Sequence, residues 1–173
     1  MRFLATISYD GSKYNGYQKQ VHGNTVQNKL EEVLSNINGE SVSVSASGRT
    51  DAGVHALNQK VHFDLNVNIT PDSLCKAMNS LLPGDIYVRS VVGVSDDFHA
   101  RFDVKAKEYI YKINMGEYDP ILKDYVFQCC KKLDVVEIER ALKYLEGTHD
   151  FKSFTSGDDK RDDYVRTIIQ TNL

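Results

Sequence analysis

Ser47-Gly48-Arg49-Thr50-Asp51-Ala52-Gly53-Val54-His55-Ala56 lies between two runs in which apolar and polar residues alternate. Upstream, Val42, Val44 and Ala46 alternate with serines; downstream, Val61, Phe63, Leu65 and Val67 alternate with polar residues. A period of two is the pattern of a half-buried strand, so the decapeptide reads as a turn joining two strands. Gly48 and Gly53 bracket the turn. Glycine reaches backbone conformations closed to other residues and lets a ligand approach the main chain. The turn therefore presents a carboxylate, Asp51, and a guanidinium, Arg49, from rigid flanks. An Asp held in this way can act as base or nucleophile, or it can do no more than cap the turn.

Outward from the turn, the pattern is that of a mixed α+β chain. A strand is expected over residues 3–9. Thr25 then reads as the N-cap of a helix with Val26, Leu30, Val33, Leu34 and Ile37 on one face, ending towards Asn38-Gly39. Beyond the two strands, Thr70-Pro71 opens a second helix with Pro in its first turn and a stripe of Leu74, Ala77, Met78, Leu81 and Leu82; Leu82-Pro83-Gly84-Asp85 ends it. Strands are expected at 86–94 and 107–115, the latter with Tyr109, Tyr111, Ile113 and Met115 on one face. The order strand, helix, two strands, helix, strand is the split βαβ pattern of ferredoxin-like and RNA-recognition-like folds, with an antiparallel sheet.

After Pro120 a third helix is expected from Asp134, with Glu137 three residues on as in a capping box and Val135, Ile138, Leu142 and Leu145 facing inward. Gly147 is its expected stop. A polar loop over 156–163 leads into a strand over 164–172. The chain thus divides into residues 1–115, a ferredoxin-like domain carrying the Asp51 turn, and residues 116–173, the start of a second, incomplete α+β half.

The 173 residues, 41% of them hydrophobic, suffice to bury a core. Only one basic residue stands in the first ten, no apolar run reaches signal-peptide length, and no membrane segment is visible, so a cytoplasmic protein is expected. Cys129 and Cys130 are adjacent and Cys75 stands alone, which supplies neither a disulfide framework nor a zinc spacing. Asn68-Ile69-Thr70 matches a glycosylation acceptor, which has no meaning without secretion. His55, His62, His99 and His149 match no metal-ligand spacing and read as structural or RNA-proximal. Gly11-Ser12-Lys13-Tyr14-Asn15-Gly16 has the glycine spacing of a P-loop, but Tyr17-Gln18 replaces the required Lys and hydroxyl residue, which excludes a Walker phosphate cradle.

A net charge of −3 argues against a protein that grips nucleic acid by bulk electrostatics, so local distribution matters more. Arg101, Lys105, Lys107 and Lys112 face only Asp103 and Glu108, with Phe102, Tyr109 and Tyr111 interleaved. Arg2, Lys13 and Lys19 accompany Tyr9, Tyr14 and Tyr17 near the start. Such patches can meet phosphates and stack on bases; they can also be solvated strand faces over core aromatics.

Six ordered blocks make the chain resemble the tRNA pseudouridine synthase A (TruA) family. They are residues 9–20 with Thr25-Val26-Gln27, the Gly48–Gly53 turn, Leu82-Pro83-Gly84-Asp85-Ile86, Asp97-Phe98-His99-Ala100-Arg101-Phe102, Lys107-Glu108-Tyr109-Ile110-Tyr111, and residues 147–154. Together they cover nearly the whole chain. Tyr17 stands where the family usually has Trp. The resemblance implies the pseudouridine synthase fold and isomerisation of uridine to pseudouridine in the tRNA anticodon stem-loop, at tRNA positions 38–40, with no cofactor consumed. It implies tRNA as partner, a homodimer and no membrane association.

By the same resemblance Asp51 matches the essential aspartate, as nucleophile at sugar or base ring or as base towards a sugar proton; each role requires the ionised carboxylate. Arg49 matches the residue that helps extrude the target nucleotide, its alternative being a structural ion pair. Tyr109 matches the tyrosine that packs on the target uracil, its alternative being core packing. In the family an apolar-flanked Arg or Lys that pairs with the aspartate lies further on, beyond the counterpart of Leu173. The sequence therefore reads as the N-terminal two-thirds of such an enzyme: a fragment, a naturally short relative or one product of a split gene. A non-catalytic tRNA-binding module is the alternative function, and a metal-free acid/base enzyme on another nucleotide substrate is a weaker third. Little turnover is expected of the 173 residues alone unless Arg101 or Arg166 replaces the absent cation.

Overall fold

The computed structural model describes residues 1–21, 23–155 and 163–173, and divides into two compact units, Met1–Ile110 and Tyr111–Leu173. In the first unit β1 (Arg2–Tyr9) is followed by α1 (Val26–Asn38), β2 (Ser45–Ala46), β3 (Ala56–Asp64), α2 (Pro71–Leu81) and β4 (Ile86–Val94). The sheet order is β2-β3-β1-β4 and every pairing is antiparallel. This is the ferredoxin-like arrangement expected from the order of elements.

Local chemistry sets the helix ends. The Thr25 hydroxyl accepts from the Asn28 amide at 3.2 Å, and Gly39 closes α1 with φ 75°, its amide donating to the Ser35 carbonyl. Thr70 does the same for α2 through the Ser73 amide, with Pro71 where a helical N–H would lack a partner in any case. The apolar faces of both helices close on one face of the sheet: Val26, Leu30 and Leu34 from α1 and Leu74 and Met78 from α2 join Phe3, Ala5, Ile7, Val61, Phe63 and Val88 in one buried core. Truncating Phe3 or Phe63 there costs about 3–5 kcal/mol. Leu81 departs from the expected stripe and is 53% exposed, because α2 ends at that residue and Leu82 turns in as its cap.

The alternating run before the Asp51 turn is strand only at Ser45–Ala46. Val42 and Val44 are buried, yet their amides are taken by α1: Val42 N–H donates to Ser35 Oγ at 2.9 Å and Val44 N–H to Glu31 Oε1 at 3.1 Å. With those donors satisfied by helix side chains, no ladder forms there.

The strand expected over 107–115 is corrected more strongly. Only Ile113–Asn114 (β5) is strand, and it belongs to the second unit, paired parallel with β6 (Phe127–Gln128). Residues 104–111 have no ladder partner among the described residues, and Tyr109 and Tyr111 are 83% and 85% exposed. Alternation marks a face; a strand also needs a neighbour for its amides.

The second unit continues with α3 (Val135–Lys143), β7 (Gly147–Asp150), a short 3-10 turn at Lys152–Phe154 and β8 (Val165–Ile168), antiparallel to β7. Asp134 caps α3 by accepting from the Glu137 amide at 3.1 Å, whereas the Glu137 carboxylate binds Arg140 instead of closing the box. The inward face expected for α3 is corrected as well: Ile138, Leu142 and Leu145 are half-buried and Val135 is 44% exposed, for no described residue of this unit is fully buried. The helix ends before Gly147, which turns the chain into β7 with φ 97°. Glu146 ties the unit's end. It accepts from Lys143, the Thr171 amide and the Thr171 hydroxyl, and Lys143 chiefly holds its carboxyl down to about 2. Of the expected loop 156–163, positions 156–162 lie outside the described residues.

Candidate active site

Asp51 and Arg49 sit on the turn between β2 and β3, both exposed. Backbone groups close the turn and the Asp51 carboxylate takes no part: Val54 N–H donates to the Asp51 carbonyl at 3.2 Å. Among the described residues neither the Asp51 carboxylate nor the Arg49 guanidinium has a hydrogen bond or ion-pair partner.

The segment after β1 grips this turn. Tyr17 N–H donates to the Thr50 carbonyl at 3.0 Å and Gly53 N–H to the Tyr14 carbonyl at 3.3 Å. The Tyr9 hydroxyl meets Thr50 Oγ1 at 2.8 Å. Two glycines make the approach possible. A β-carbon on Gly11 would lie 2.0 Å from the Val54 carbonyl oxygen, and one on Gly16, whose φ is 92°, would lie 2.9 Å from that of Thr50. The spacing that resembles a P-loop thus serves to bring one backbone against another.

The flanks are fixed in the same way. Gly11 N–H donates to His55 Nδ1 at 3.1 Å, with Asp10 Oδ1 also 3.1 Å from that nitrogen. Tyr14 donates to Asp85 Oδ1 at 2.5 Å, and burial together with that carboxylate pushes its phenol well above the usual range. On the β2 side Gln59 Nε2 donates to the Gly48 carbonyl, and Ser47 N–H donates to the Lys60 carbonyl at 2.8 Å. Gly53 has the expected positive φ, 79°, whereas Gly48 does not. At Gly48 the small residue leaves room: the Lys107 ammonium lies 3.5 Å from where a β-carbon would stand.

Arg49 and Asp51 are therefore neighbours on one turn, and Lys107 joins them at Gly48. Tyr109 lies two residues beyond Lys107, exposed, so neither its ring nor that of Tyr111 packs in the core. Tyr17, in the position of the family's Trp, is 2% exposed against Tyr9, with ring centroids 6.3 Å apart. The grip of residues 9–17 on the turn and the placing of Lys107 escape a reading of sequence, since each joins residues far apart in the chain, even Tyr17 and Thr50; the signal for the grip is the pair of glycines at 11 and 16.

Residues 5–103 match the tRNA pseudouridine synthase family, and the chain belongs to that family of RNA-modifying isomerases. Within it the similarity is to tRNA pseudouridine synthase A. The chain is 46% identical to that protein of Anoxybacillus flavithermus and 45% identical to that of a Geobacillus species, over 99% of this chain and 70% of each relative. It is 43% identical to the Pseudothermotoga lettingae protein of the same name, over 99% of this chain and 71% of that one.

Proposed function

We propose that this chain converts uridine to pseudouridine in the anticodon stem-loop of tRNA, at tRNA positions 38–40, with Asp51 as the reacting carboxylate. In the reaction the bond from C1′ to N1 breaks, the uracil turns within the site, and C1′ bonds to C5. N1 gains a proton and C5 loses one, so the change is an isomerisation and consumes no cofactor. Asp51 acts in its ionised form, as nucleophile or as base. The observation that carries this assignment is an exposed carboxylate that is not used to hold its own turn, on a backbone clamped from both sides.

Arg49 on the same turn extrudes the target nucleotide and fills the space it leaves. Unstacking a base costs a few kcal/mol, which a planar guanidinium that stacks and donates several hydrogen bonds offsets. Tyr109 packs on the uracil, and its exposed ring is free to do so. Lys107 and the neighbouring basic residues meet phosphates. The protein works as a cytoplasmic homodimer with tRNA across both subunits, as the family resemblance suggests. No helix among the described residues is long and apolar enough to cross a membrane.

Asp51→Ala tests the assignment. Pseudouridine formation is expected to vanish while tRNA affinity stays within about threefold, because one reacting group is removed from a site held by phosphate and stacking contacts. Turnover near the unmutated rate would sink it.

A further inference from the structure

We infer that the hydroxyl pair of Tyr9 and Thr50 sets the position of the Asp51 carboxylate, which makes the buried Tyr9 a positioning residue for the isomerisation. This rests on Asp51 being the reacting group, as proposed above.

Tyr9 ends β1 on the face that carries Phe3, Ala5 and Ile7, and only 4% of it is exposed. A phenylalanine would fill the same volume. What tyrosine adds is one hydroxyl, and its partner is Thr50 Oγ1, 2.8 Å away on the Asp51 turn. Burial raises the Tyr9 phenol above its usual range, so it stays protonated and able to donate.

Thr50 is thereby fixed at two points. Its side chain is held by β1, and its carbonyl accepts from Tyr17 N–H at 3.0 Å, Tyr17 itself being buried. The next peptide carries Asp51, whose carbonyl accepts from Val54 N–H. The backbone of Asp51 thus runs between two anchored peptides. Among the described residues no side chain holds the carboxylate itself, and those anchors set where the Asp51 backbone presents it. A reacting group displaced by about 1 Å can lose on the order of a hundredfold in rate. Tyr9, being buried, cannot meet the tRNA, so its loss acts on rate and spares affinity.

The test compares single-turnover pseudouridine formation at saturating enzyme and tRNA affinity for the full chain and for Tyr9→Phe, Thr50→Val, Thr50→Ser, the double variant Tyr9→Phe with Thr50→Val, and Asp51→Asn. Tyr9→Phe and Thr50→Val are expected to slow the reaction about 10- to 100-fold with tRNA affinity within about twofold. Thr50→Ser, which keeps the oxygen, restores the rate to within about threefold of wild type, and the double variant is no slower than the slower single one, since both cut the same link. Thermal unfolding checks the fold. Should Tyr9→Phe prove poorly folded, Thr50→Val against Thr50→Ser decides with Tyr9 in place.

Wild-type rates in both single variants, a loss of affinity in place of rate, a Thr50→Ser as slow as Thr50→Val, or additive losses would each overturn the inference. An active Asp51→Asn would bring down the assignment of Asp51 and the inference with it; that failure is told apart from a failure of the inference alone because the Tyr9 and Thr50 variants keep Asp51 in place.

Discussion

Among the described residues the buried Tyr17 hydroxyl has no hydrogen-bond partner, which sets it apart from the Tyr9 hydroxyl beside it. Burial chiefly pushes its phenol far above the usual range, with Tyr9 and Glu31 adding to the effect. An unpaired buried hydroxyl costs about 1–3 kcal/mol. Tyr17→Phe is therefore expected to stabilise the protein by about 1 kcal/mol in urea denaturation; a loss of that size would mean that the hydroxyl has a partner in solution. Lys107 offers a second test at this scale. Its ammonium lies over Gly48 and has no ion-pair partner among the described residues. With a tRNA phosphate as its partner, Lys107→Gln is expected to weaken binding alike across tRNA sequences and to lower the slope of log affinity against log salt by about one. An unchanged slope would remove Lys107 from the phosphate contacts.

At the level of elements, what was legible in the sequence is what local residues decide. Thr25, Gly39 and Thr70 bound the two helices through bonds within four residues, Pro71 needs none, and the helical stripes follow from a period that needs no partner. β2 and the stretch before Ile113 failed for the converse reason: their alternation is genuine, but the destination of their amides depends on other elements, on Glu31 and Ser35 of α1 in one case and on the lack of a neighbour among the described residues in the other. The site divides in the same way. Arg49 and Asp51 could be read together because they are two residues apart, whereas the segment that grips them, residues 9–17, lies across α1 and β2 in the chain. The grip predicts unequal costs for one change made twice. At Gly11 an added methyl meets the Val54 carbonyl oxygen at 2.0 Å, so backbone must move; at Gly53 nothing lies within 4 Å and only the φ of 79° resists. Gly11→Ala is expected to cost well over 2 kcal/mol and Gly53→Ala about 1–2 kcal/mol in denaturant unfolding. Equal costs would mean that the contact at Gly11 relaxes in solution.

Across the whole molecule, the first unit has a fully buried core and holds two groups, His62 and Asp64, that make that core sensitive to acid. His62 on β3 is 6% exposed and its Nδ1 accepts from Ala100 N–H at 3.1 Å, which pins the segment after β4 to the sheet. His99, Arg2, Asp64 and Asp103 face it. Desolvation, then the charges of His99 and Arg2, lower its basicity below the usual value of 6.5, and the two carboxylates only partly oppose this. The folded state thus resists a proton that the unfolded chain accepts. The stability that neutral His62 contributes is complete above about pH 6.5 and is lost as pH falls through its lower folded value. Asp64 acts in the same direction further down: its paired hydrogen bonds to Arg2 at 2.8 and 2.9 Å hold its carboxyl below 3.8, so its contribution is lost only in stronger acid. Hydrogen exchange of the β1 and β3 amides, corrected for intrinsic rates, is expected to show stability falling between pH 7 and 5, with a second fall below about pH 4. His62→Gln should flatten the first fall and leave the second, and Asp64→Asn should do the reverse. A first fall that survives His62→Gln would place the acid-sensitive group elsewhere in the sheet.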